Sequence, residues 1–213
     1  MSINRTVVLA GATSEAGLAA AAALIDAGAR VIATGRSEER LAALRDAGAQ
    51  TEIADATSLA DMQALAERLG RIDAVIPLVG GWRGGGGLAG QSDEDFAALL
   101  PALQAVRATS RAFDAAIRAS DAGRFAIVSS TVVTRPLAGG ANYAAMKAAS
   151  EAWTRAVAQG YAKAARDAGA DLRAAAVIFR AQGGLQADAL ARAAVELWDQ
   201  DAVALNDTVV TLG

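Results

Sequence analysis

The sequence contains no cysteine and no histidine. Their absence excludes a thiol nucleophile, a disulfide framework, a histidine general base and the common His/Cys sites for zinc and haem. Any proton transfer must therefore come from Ser, Tyr, Lys, Asp, Glu or Arg side chains, or from a bound cofactor. We predict no metal site. The lack of cysteine is also typical of a cytoplasmic protein, which is the location we expect.

A net positive charge and long hydrophobic runs are missing as well. The 20 Lys and Arg are outnumbered by 23 Asp and Glu, for a net charge of -3. This balance is too acidic for a protein dedicated to the phosphate backbone, and we expect no nucleic-acid partner. The longest apolar run, residues 16–25, stops at Asp26 and is shorter than the roughly 18 residues that cross a bilayer. We therefore expect no membrane partner either.

The order of apolar and amphipathic segments predicts the fold class. Short β-branched runs alternate with longer Ala/Leu/Arg-rich stretches of helical period, which is typical of strand-helix-strand units on a parallel sheet. With 213 residues, of which 54% are hydrophobic, we predict one α/β domain over residues 1–213. Its seven-stranded sheet is doubly wound and mostly parallel, with helices on both faces. The predicted strands are residues 6–10, 30–34, 50–53, 72–79, 124–129, 171–179 and 207–211. The predicted helices are residues 16–26, 37–46, 58–69, 93–120, 142–168 and 187–200.

A glycine-rich segment, residues 80–90, follows the fourth predicted strand. One interpretation is a mobile connection. The other is a flexible wall of a binding site, because loops at the carboxyl ends of parallel strands form ligand crevices. The sequence leaves both open.

The first predicted strand runs directly into a glycine-containing turn and then a helix. Residues 11–17 read Gly-Ala-Thr-Ser-Glu-Ala-Gly. In this context glycines allow backbone amides to approach a pyrophosphate at a helix N-terminus. Glu15 either favours the positive end of the helix dipole or, if it points at the pyrophosphate, repels it.

Three polar residues form the most informative constellation. Ser130 follows the fifth predicted strand, Tyr143 comes thirteen residues later, and Lys147 follows after four more. Positions i and i+4 share a helix face, so Tyr143 and Lys147 can point into one crevice while Ser130 meets them from the strand end. The chain has only two Tyr and two Lys among 213 residues. A Tyr/Lys pair at this offset would therefore arise by chance in about 2% of cases.

The glycine turn and this constellation resemble the short-chain dehydrogenase/reductase family, and the resemblance implies a Rossmann fold. It also implies roles. Tyr143 would be the general acid or base, Ser130 would orient the substrate oxygen, and Lys147 would hold the nicotinamide ribose. An unperturbed phenol titrates near 10, so we expect Lys147 and an oxidised nicotinamide to lower the Tyr143 pKa. The residues that the resemblance assigns to the cofactor are Gly11, Thr13, Ser14, Glu15, Gly17, Arg36, Asp55, Gly80 and Lys147.

The second and third strands suggest which cofactor is used. Family members that prefer NAD usually carry an acidic residue at the end of the second strand, where this chain has Gly35 followed by Arg36. A guanidinium can bind a 2'-phosphate, so we favour NADP, with NAD as the alternative. The alternative interpretation is that Arg36 is an ordinary solvated charge with no part in cofactor binding. Asp55 would bind the adenine amino group, or else is a turn residue at the start of a helix.

The sequence also departs from the family pattern. Glu15 replaces the middle glycine of the turn, and Pro77-Leu78-Val79-Gly80 stands where the family has Asn-Asn-Ala-Gly. The family's catalytic Asn would fall near Ala102 or Leu103. Phe179-Arg180 replaces the usual Pro-Gly, and the short segment 181–186 indicates a truncated substrate lid and an open site.

These features favour an NADP-dependent oxidoreductase that interconverts a carbonyl and an alcohol. The alternative is a catalytically idle dinucleotide-binding regulator or structural protein, favoured by Glu15 and the missing Asn.

Arg83, Arg135 and Arg180 lie near strand ends and permit an anionic substrate, although surface arginines are common. The family's two long helices, here residues 93–120 and 142–168, form interfaces, so we expect a homodimer or homotetramer.

Overall fold

All strands of the described chain lie in one parallel sheet. The computed structural model describes residues 3–213. The sheet order is β3-β2-β1-β4-β5-β6-β7, and every neighbouring pair is parallel. The strands are β1 Thr6–Ala10, β2 Arg30–Gly35, β3 Gln50–Ile53, β4 Ala74–Pro77, β5 Gly123–Ser130, β6 Ala174–Ala181 and β7 Thr208–Leu212. The predicted doubly wound α/β fold is confirmed.

Helices cover both faces of this sheet. They are α1 Glu15–Asp26, α2 Glu38–Asp46, α3 Leu59–Leu69, α4 Asp93–Ala119, α5 Ala141–Asp167, α6 Ala187–Val195 and α7 Ala202–Leu205. Three 3-10 turns occupy Thr131–Val133, Ala138–Gly140 and Glu196–Trp198. Successive strand residues point to opposite faces. In β1, Val7 and Leu9 accordingly pack with α1, α2 and α6, while Val8 and Ala10 pack with α3, α4 and α5.

Two strand predictions had wrong bounds. The fourth strand is Ala74–Pro77 rather than residues 72–79, because after Leu78 the chain turns away from the sheet into the glycine-rich segment. The sixth strand is Ala174–Ala181 rather than residues 171–179. Its register against β5 pairs Gly123 with Ala174 and Ser130 with Ala181, so pairing with the neighbouring strand set its limits.

The last predicted helix, residues 187–200, was also wrong in its C-terminal half. Helix α6 ends at Val195, and a 3-10 turn and the short α7 follow. In the segment after α6, the buried guanidinium of Arg124 donates to the carbonyl oxygens of Leu197 (2.7 Å) and Gln200 (3.0 Å). Burial lowers the pKa of Arg124 to about 10.

The long helices α4 and α5 pack against each other on one face of the sheet. The homodimer or homotetramer that the family resemblance implied for these helices stays a prediction. Within residues 3–213 no helix is long and apolar enough to span a membrane. In the same range no cluster of three or more His, Cys, Asp or Glu has the arrangement of a metal site.

Candidate active site

A cavity of about 720 Å³ opens at the carboxyl ends of the central strands, between the turn after β1 and the start of α6. Parallel strands present their carboxyl ends at one edge, which is where ligands bind in open α/β sheets. The cavity brings together six of the residues predicted from the sequence. Its lining includes Ser14, Glu15, Gly80, Ser130, Tyr143 and Lys147.

The turn after β1 is built so that no side chain fits at its two glycines. Gly11 has φ +77°, and a Cβ there would overlap Cγ2 of Val79. A Cβ on Gly17 would overlap the carbonyl oxygen of Ala12. The Ser14 hydroxyl accepts a hydrogen bond from the Gly17 amide (3.2 Å) and caps α1. The remaining amides of the first turn are thereby presented at a tight N-terminus, a geometry suited to a phosphate.

Glu15 is the first residue of α1 and also lines the cavity. Its carboxylate suits the positive end of the helix dipole. Its place on the cavity wall also puts a negative charge beside the space that the glycine turn opens. A negatively charged ligand must therefore occupy the amides of the turn with the exposed Glu15 side chain rotated toward solvent.

Ser130 ends β5 and starts the 3-10 turn that follows it. Its Oγ accepts a hydrogen bond from the amide of Val132 (3.4 Å). A hydroxyl whose oxygen accepts from the backbone keeps its own proton for another acceptor. Ser130 lines the cavity together with Tyr143, so this proton is available to a substrate oxygen or to the phenol oxygen.

Tyr143 lies in the first turn of α5. Burial raises the pKa of its phenol above the ordinary value, and hydrogen bonding with Ser130 acts in the opposite direction. Residues 3–213 by themselves do not lower the pKa of Tyr143 as was expected for Lys147 and an oxidised nicotinamide together, because desolvation of the phenol outweighs the effect of the neighbouring groups. The phenol is therefore protonated at neutral pH, the form that donates a proton.

Lys147 lies one turn beyond Tyr143 and is almost fully buried. Its ammonium donates to the carbonyl oxygen of Val128 (2.7 Å) and lies 5.6 Å from the centre of the Tyr143 ring. Burial lowers the pKa of Lys147 to about 8, and the negative charge of Glu151 acts against that change. Tyr143 and Lys147 thus share one helix face, as their spacing predicted.

The structure adds a buried acid that the sequence analysis missed. Glu151 is one further turn along α5 and only 5% exposed. It accepts a hydrogen bond from Ser129 (2.7 Å) and two from Arg180 (2.8 and 2.6 Å). These hydrogen bonds outweigh burial and hold the pKa of Glu151 below its usual value. The spacing 143, 147, 151 was the signal that could have identified it.

Helix α4 offers only apolar side chains to the cavity. Ala102, the position where the family's catalytic Asn was expected, lines the cavity together with Val106. Neither side chain can hold a water molecule through a hydrogen bond. The ammonium of Lys147 is instead held by the Val128 carbonyl oxygen on β5.

Five of the nine predicted cofactor residues are outside the cavity lining: Gly11, Thr13 and Gly17 in the turn after β1, Arg36 after β2 and Asp55 after β3. Gly35 ends β2 in close packing: a Cβ there would lie 2.7 Å from Cγ2 of Thr13. Arg36 follows it, is exposed, and makes no hydrogen bond or ion pair within residues 3–213. Asp55 accepts hydrogen bonds from the amide (2.9 Å) and hydroxyl (2.8 Å) of Thr57. One carboxylate oxygen of Asp55 therefore accepts both hydrogen bonds and stabilises the turn before α3.

None of the three arginines considered for an anionic substrate lines the cavity. Arg180 is bound to Glu151. Arg83 donates to the carbonyl oxygen of Trp82 (2.9 Å) and lies 3.8 Å from Asp95, and Arg135 is exposed. The cavity lining gives no support to an anion-binding role for these arginines, which stays a prediction, because positions near strand ends do not fix the direction of a side chain.

The glycine-rich segment forms part of the cavity wall. Gly80, Gly81 and Trp82 line the cavity. Farther along, the amide of Gly85 donates to the carbonyl oxygen of Gly139 (2.7 Å), just before α5. Of the two interpretations of this segment, the structure agrees with the wall of a site.

Comparison with known proteins agrees with this geometry. The family described as short chain dehydrogenase matches residues 5–165. None of the curated proteins matches the sequence significantly. A Shigella flexneri 2a str. 301 structure, described as a short chain dehydrogenase complexed with NADP, is 21% identical with a TM-score of 0.84 and covers 98% of this chain and 97% of its own.

Two further solved structures show the same fold. A short chain dehydrogenase from Salmonella enterica subsp. enterica serovar Typhi str. CT18 is 20% identical, with a TM-score of 0.81, and covers 98% of this chain and 96% of its own. An NAD+-bound xylitol dehydrogenase is 15% identical, with a TM-score of 0.83, and the match covers 98% of this chain and 97% of the dehydrogenase.

Proposed function

Because the chain belongs to the short chain dehydrogenase family, we propose that it is an NADP-dependent oxidoreductase that interconverts a carbonyl and an alcohol by hydride transfer. The observation that carries this proposal is the single cavity that contains Ser130, Tyr143 and Lys147 beside the glycine turn. Membership of this family supports an oxidoreductase. The cofactor preference, the role of Tyr143 and the substrate belong to the proposal.

The residues of the turn fit a nicotinamide dinucleotide. Gly11 and Gly17 allow the turn to pack tightly against Val79 and the Ala12 backbone, and the amides of the first turn of α1 would then bind a pyrophosphate. Thr13 and Ser14 would flank it, and Gly80 would leave room for the adenosine side of the cofactor. The unpaired guanidinium of Arg36 supports NADP, because it is free to bind the 2'-phosphate. Asp55 has its second carboxylate oxygen for the adenine amino group.

When bound, the reduced cofactor supplies the hydride that reaches the carbonyl carbon of the substrate. Ser130 donates its hydroxyl proton in a hydrogen bond to the carbonyl oxygen and so orients it. Tyr143, protonated at neutral pH, transfers its proton to that oxygen as negative charge develops there. With the hydride that the cofactor would supply, this proton would complete the conversion of the carbonyl to an alcohol. Lys147 would bind the nicotinamide ribose and stabilise the phenolate that remains.

One test of this proposal is calorimetric titration with NADPH and, separately, NADH. We expect binding of both, with tighter binding of NADPH. A panel of aldehydes and ketones is then assayed by oxidation of NADPH. Tyr143→Phe should bind NADPH normally and lose at least about 100-fold in rate, because general acid catalysis typically contributes that much.

Tyr161→Phe is the matched control for this variant. Tyr161 lies on the same helix, and its buried hydroxyl has no hydrogen-bond partner within residues 3–213. Its removal should leave the rate unchanged. Near wild-type turnover by Tyr143→Phe would disprove the assigned role of Tyr143. Failure to bind either cofactor would disprove the proposed enzyme.

The second candidate is a dinucleotide-binding protein without catalytic activity. It is favoured by Glu15 on the cavity wall and by Ala102 in place of a polar residue. This candidate predicts that NADPH binds but that no carbonyl compound is reduced. The titration and the substrate panel together therefore distinguish the two functions.

A further inference from the structure

The charges of the cavity argue against an anionic substrate. Among the residues that line it, only Glu15 and Lys147 carry a formal charge. The Lys147 ammonium is bound to the Val128 carbonyl oxygen, and the negative charge of the buried Glu151 stabilises it. Beside Ser130 and Tyr143, a carboxylate or phosphate on the substrate would lose its hydration and find no free cation among the described lining residues. Burying an unpaired charge is costly, so the cavity selects against it.

The mouth of the same cavity exposes apolar side chains. Trp82 and Leu185 line the cavity and are 62% and 37% exposed. Leu137, 71% exposed, lies two residues from Gly139. A Cβ on Gly84 would lie 3.1 Å from Cζ2 of Trp82 and would overlap the Gly139 carbonyl oxygen, which places the Trp82 ring beside that segment. We call Trp82, Leu137 and Leu185 the apolar rim.

The rim is anchored by hydrogen bonds. The Gln91 side-chain amide donates to the carbonyl oxygens of Gly139 (3.0 Å) and Gly85 (3.1 Å). Its oxygen accepts from the amide of Asn142 (3.1 Å), the residue before Tyr143. The segment that carries Trp82 is thereby joined to the start of α5. An apolar surface held in place at the entrance of a catalytic cavity is typical of a ligand-binding surface.

We propose that the substrate is a neutral carbonyl compound with an extended apolar group, whose carbonyl reaches Ser130 and Tyr143 while the apolar group lies on the rim. The inference rests on the proposed function and specifies its substrate class. Because Trp82 and Leu185 of the rim also line the cavity, the group that lies on the rim is part of the substrate. Stacking on Trp82 and contact with Leu185 and Leu137 remove apolar surface from water.

The test compares two series of substrates with NADPH: 2-alkanones of four to ten carbons, and 2-oxo acids of the same lengths. For the alkanones, kcat/KM should rise by up to about fourfold for each methylene that is buried. The 2-oxo acids should be at least about tenfold poorer at each length. Trp82→Ala should flatten the dependence on chain length.

Val203→Ala is the matched control. Val203 is also an exposed apolar residue, 71% exposed, but it lies in α7, before β7. Its replacement should leave the chain-length dependence unchanged. Tryptophan fluorescence gives a second readout without turnover. Trp82 is exposed while Trp153 and Trp198 are partly buried, so 2-decanol should change the emission of the wild type and not that of Trp82→Ala.

Three outcomes would overturn the inference. A preference for 2-oxo acids, or an unchanged chain-length dependence in Trp82→Ala, would refute it while the proposed oxidoreductase stands. Dissociation of a dimer by Trp82→Ala, measured by light scattering, would show that a second copy covers the rim. If NADPH binds and no compound of any class is reduced, the proposed function itself fails.

Discussion

Arg180 donates two hydrogen bonds to the carboxylate of Glu151, one turn beyond Lys147 on the same helix. The pair joins the end of β6 to α5. Ser129, near the end of β5, also donates to Glu151 and so joins β5 to the same helix. Ser130, Tyr143 and Lys147 are carried by two of these three elements. The carboxylate of Glu151 therefore fixes the relative positions of the strand and the helix that form the candidate active site.

The pH dependence of cofactor binding should report on this arrangement. Burial lowers the pKa of Lys147 to about 8 and Glu151 raises it. Wild-type affinity for NADPH should therefore fall as the pH rises through about 8, where the ammonium loses its charge. Glu151→Gln removes the opposing charge and leaves Arg180 and Arg155 nearby, so the decline should begin at lower pH. Calorimetric titration at several pH values measures it.

Asp167→Asn serves as the control, since Asp167 is an exposed acid near the end of the same helix and pairs with Lys163. It should leave the decline where it is in the wild type. If Glu151→Gln also leaves it unchanged, Glu151 does not act on Lys147.

Removal of Arg180 should lower stability. Arg180→Met leaves the Glu151 carboxylate buried with only Ser129 and the more distant Arg155, and an unpaired buried charge is costly. We expect a loss of about 2–3 kcal/mol in the free energy of unfolding. The double variant with Glu151→Gln should recover part of it, as measured by denaturant unfolding. Additive losses in the double variant would mean that the pair is not coupled.

The glycine turn should tolerate no side chain at residue 17. A Cβ in Gly17→Ala would overlap the Ala12 carbonyl oxygen, so the backbone of the turn must move. We expect at least about a tenfold loss of NADPH affinity, since bound ligands depend on accurate placement of backbone amides. Calorimetry gives the affinity directly.

Gly160→Ala provides the comparison, because Gly160 lies within α5 and its Cβ would meet no atom within 4 Å. It should bind NADPH as the wild type does and gain up to about 1 kcal/mol of stability from helix propensity. Equal affinities of the two variants would exclude the turn from cofactor binding.

Arg36 should determine the preference between the two cofactors. Arg36→Ala removes an exposed guanidinium that has no partner within residues 3–213, so little stability is lost. Loss of charge-assisted hydrogen bonds to the 2'-phosphate should weaken NADPH binding by about 10- to 100-fold and leave NADH unaffected. Arg40→Ala, an exposed arginine on α2, should change neither affinity. An equal loss for both cofactors would disprove recognition of the 2'-phosphate by Arg36.

The sequence predicted those parts of the site whose geometry is local. The offset of four residues between Tyr143 and Lys147 determines that they share a helix face, and the tight turn at Gly11 and Gly17 follows from short-range sterics. The bonds of Arg180 and Arg124 could not be predicted in this way. Arg180 binds Glu151, 29 residues away in sequence, and Arg124 binds Leu197 and Gln200, 73 and 76 residues away, and only the packed sheet brings those groups within reach.

The sequence by itself determined the alternation of strands and helices, the parallel sheet and the residue types available for chemistry, because hydrophobic periodicity and backbone geometry act over a few residues. Tertiary structure decided where β6 and α6 end, that no arginine of residues 3–213 lines the cavity, and that the Lys147 ammonium is buried against the Val128 carbonyl oxygen. These features depend on strand register, desolvation and hydrogen bonds between distant segments. Such interactions exist only once the chain has packed.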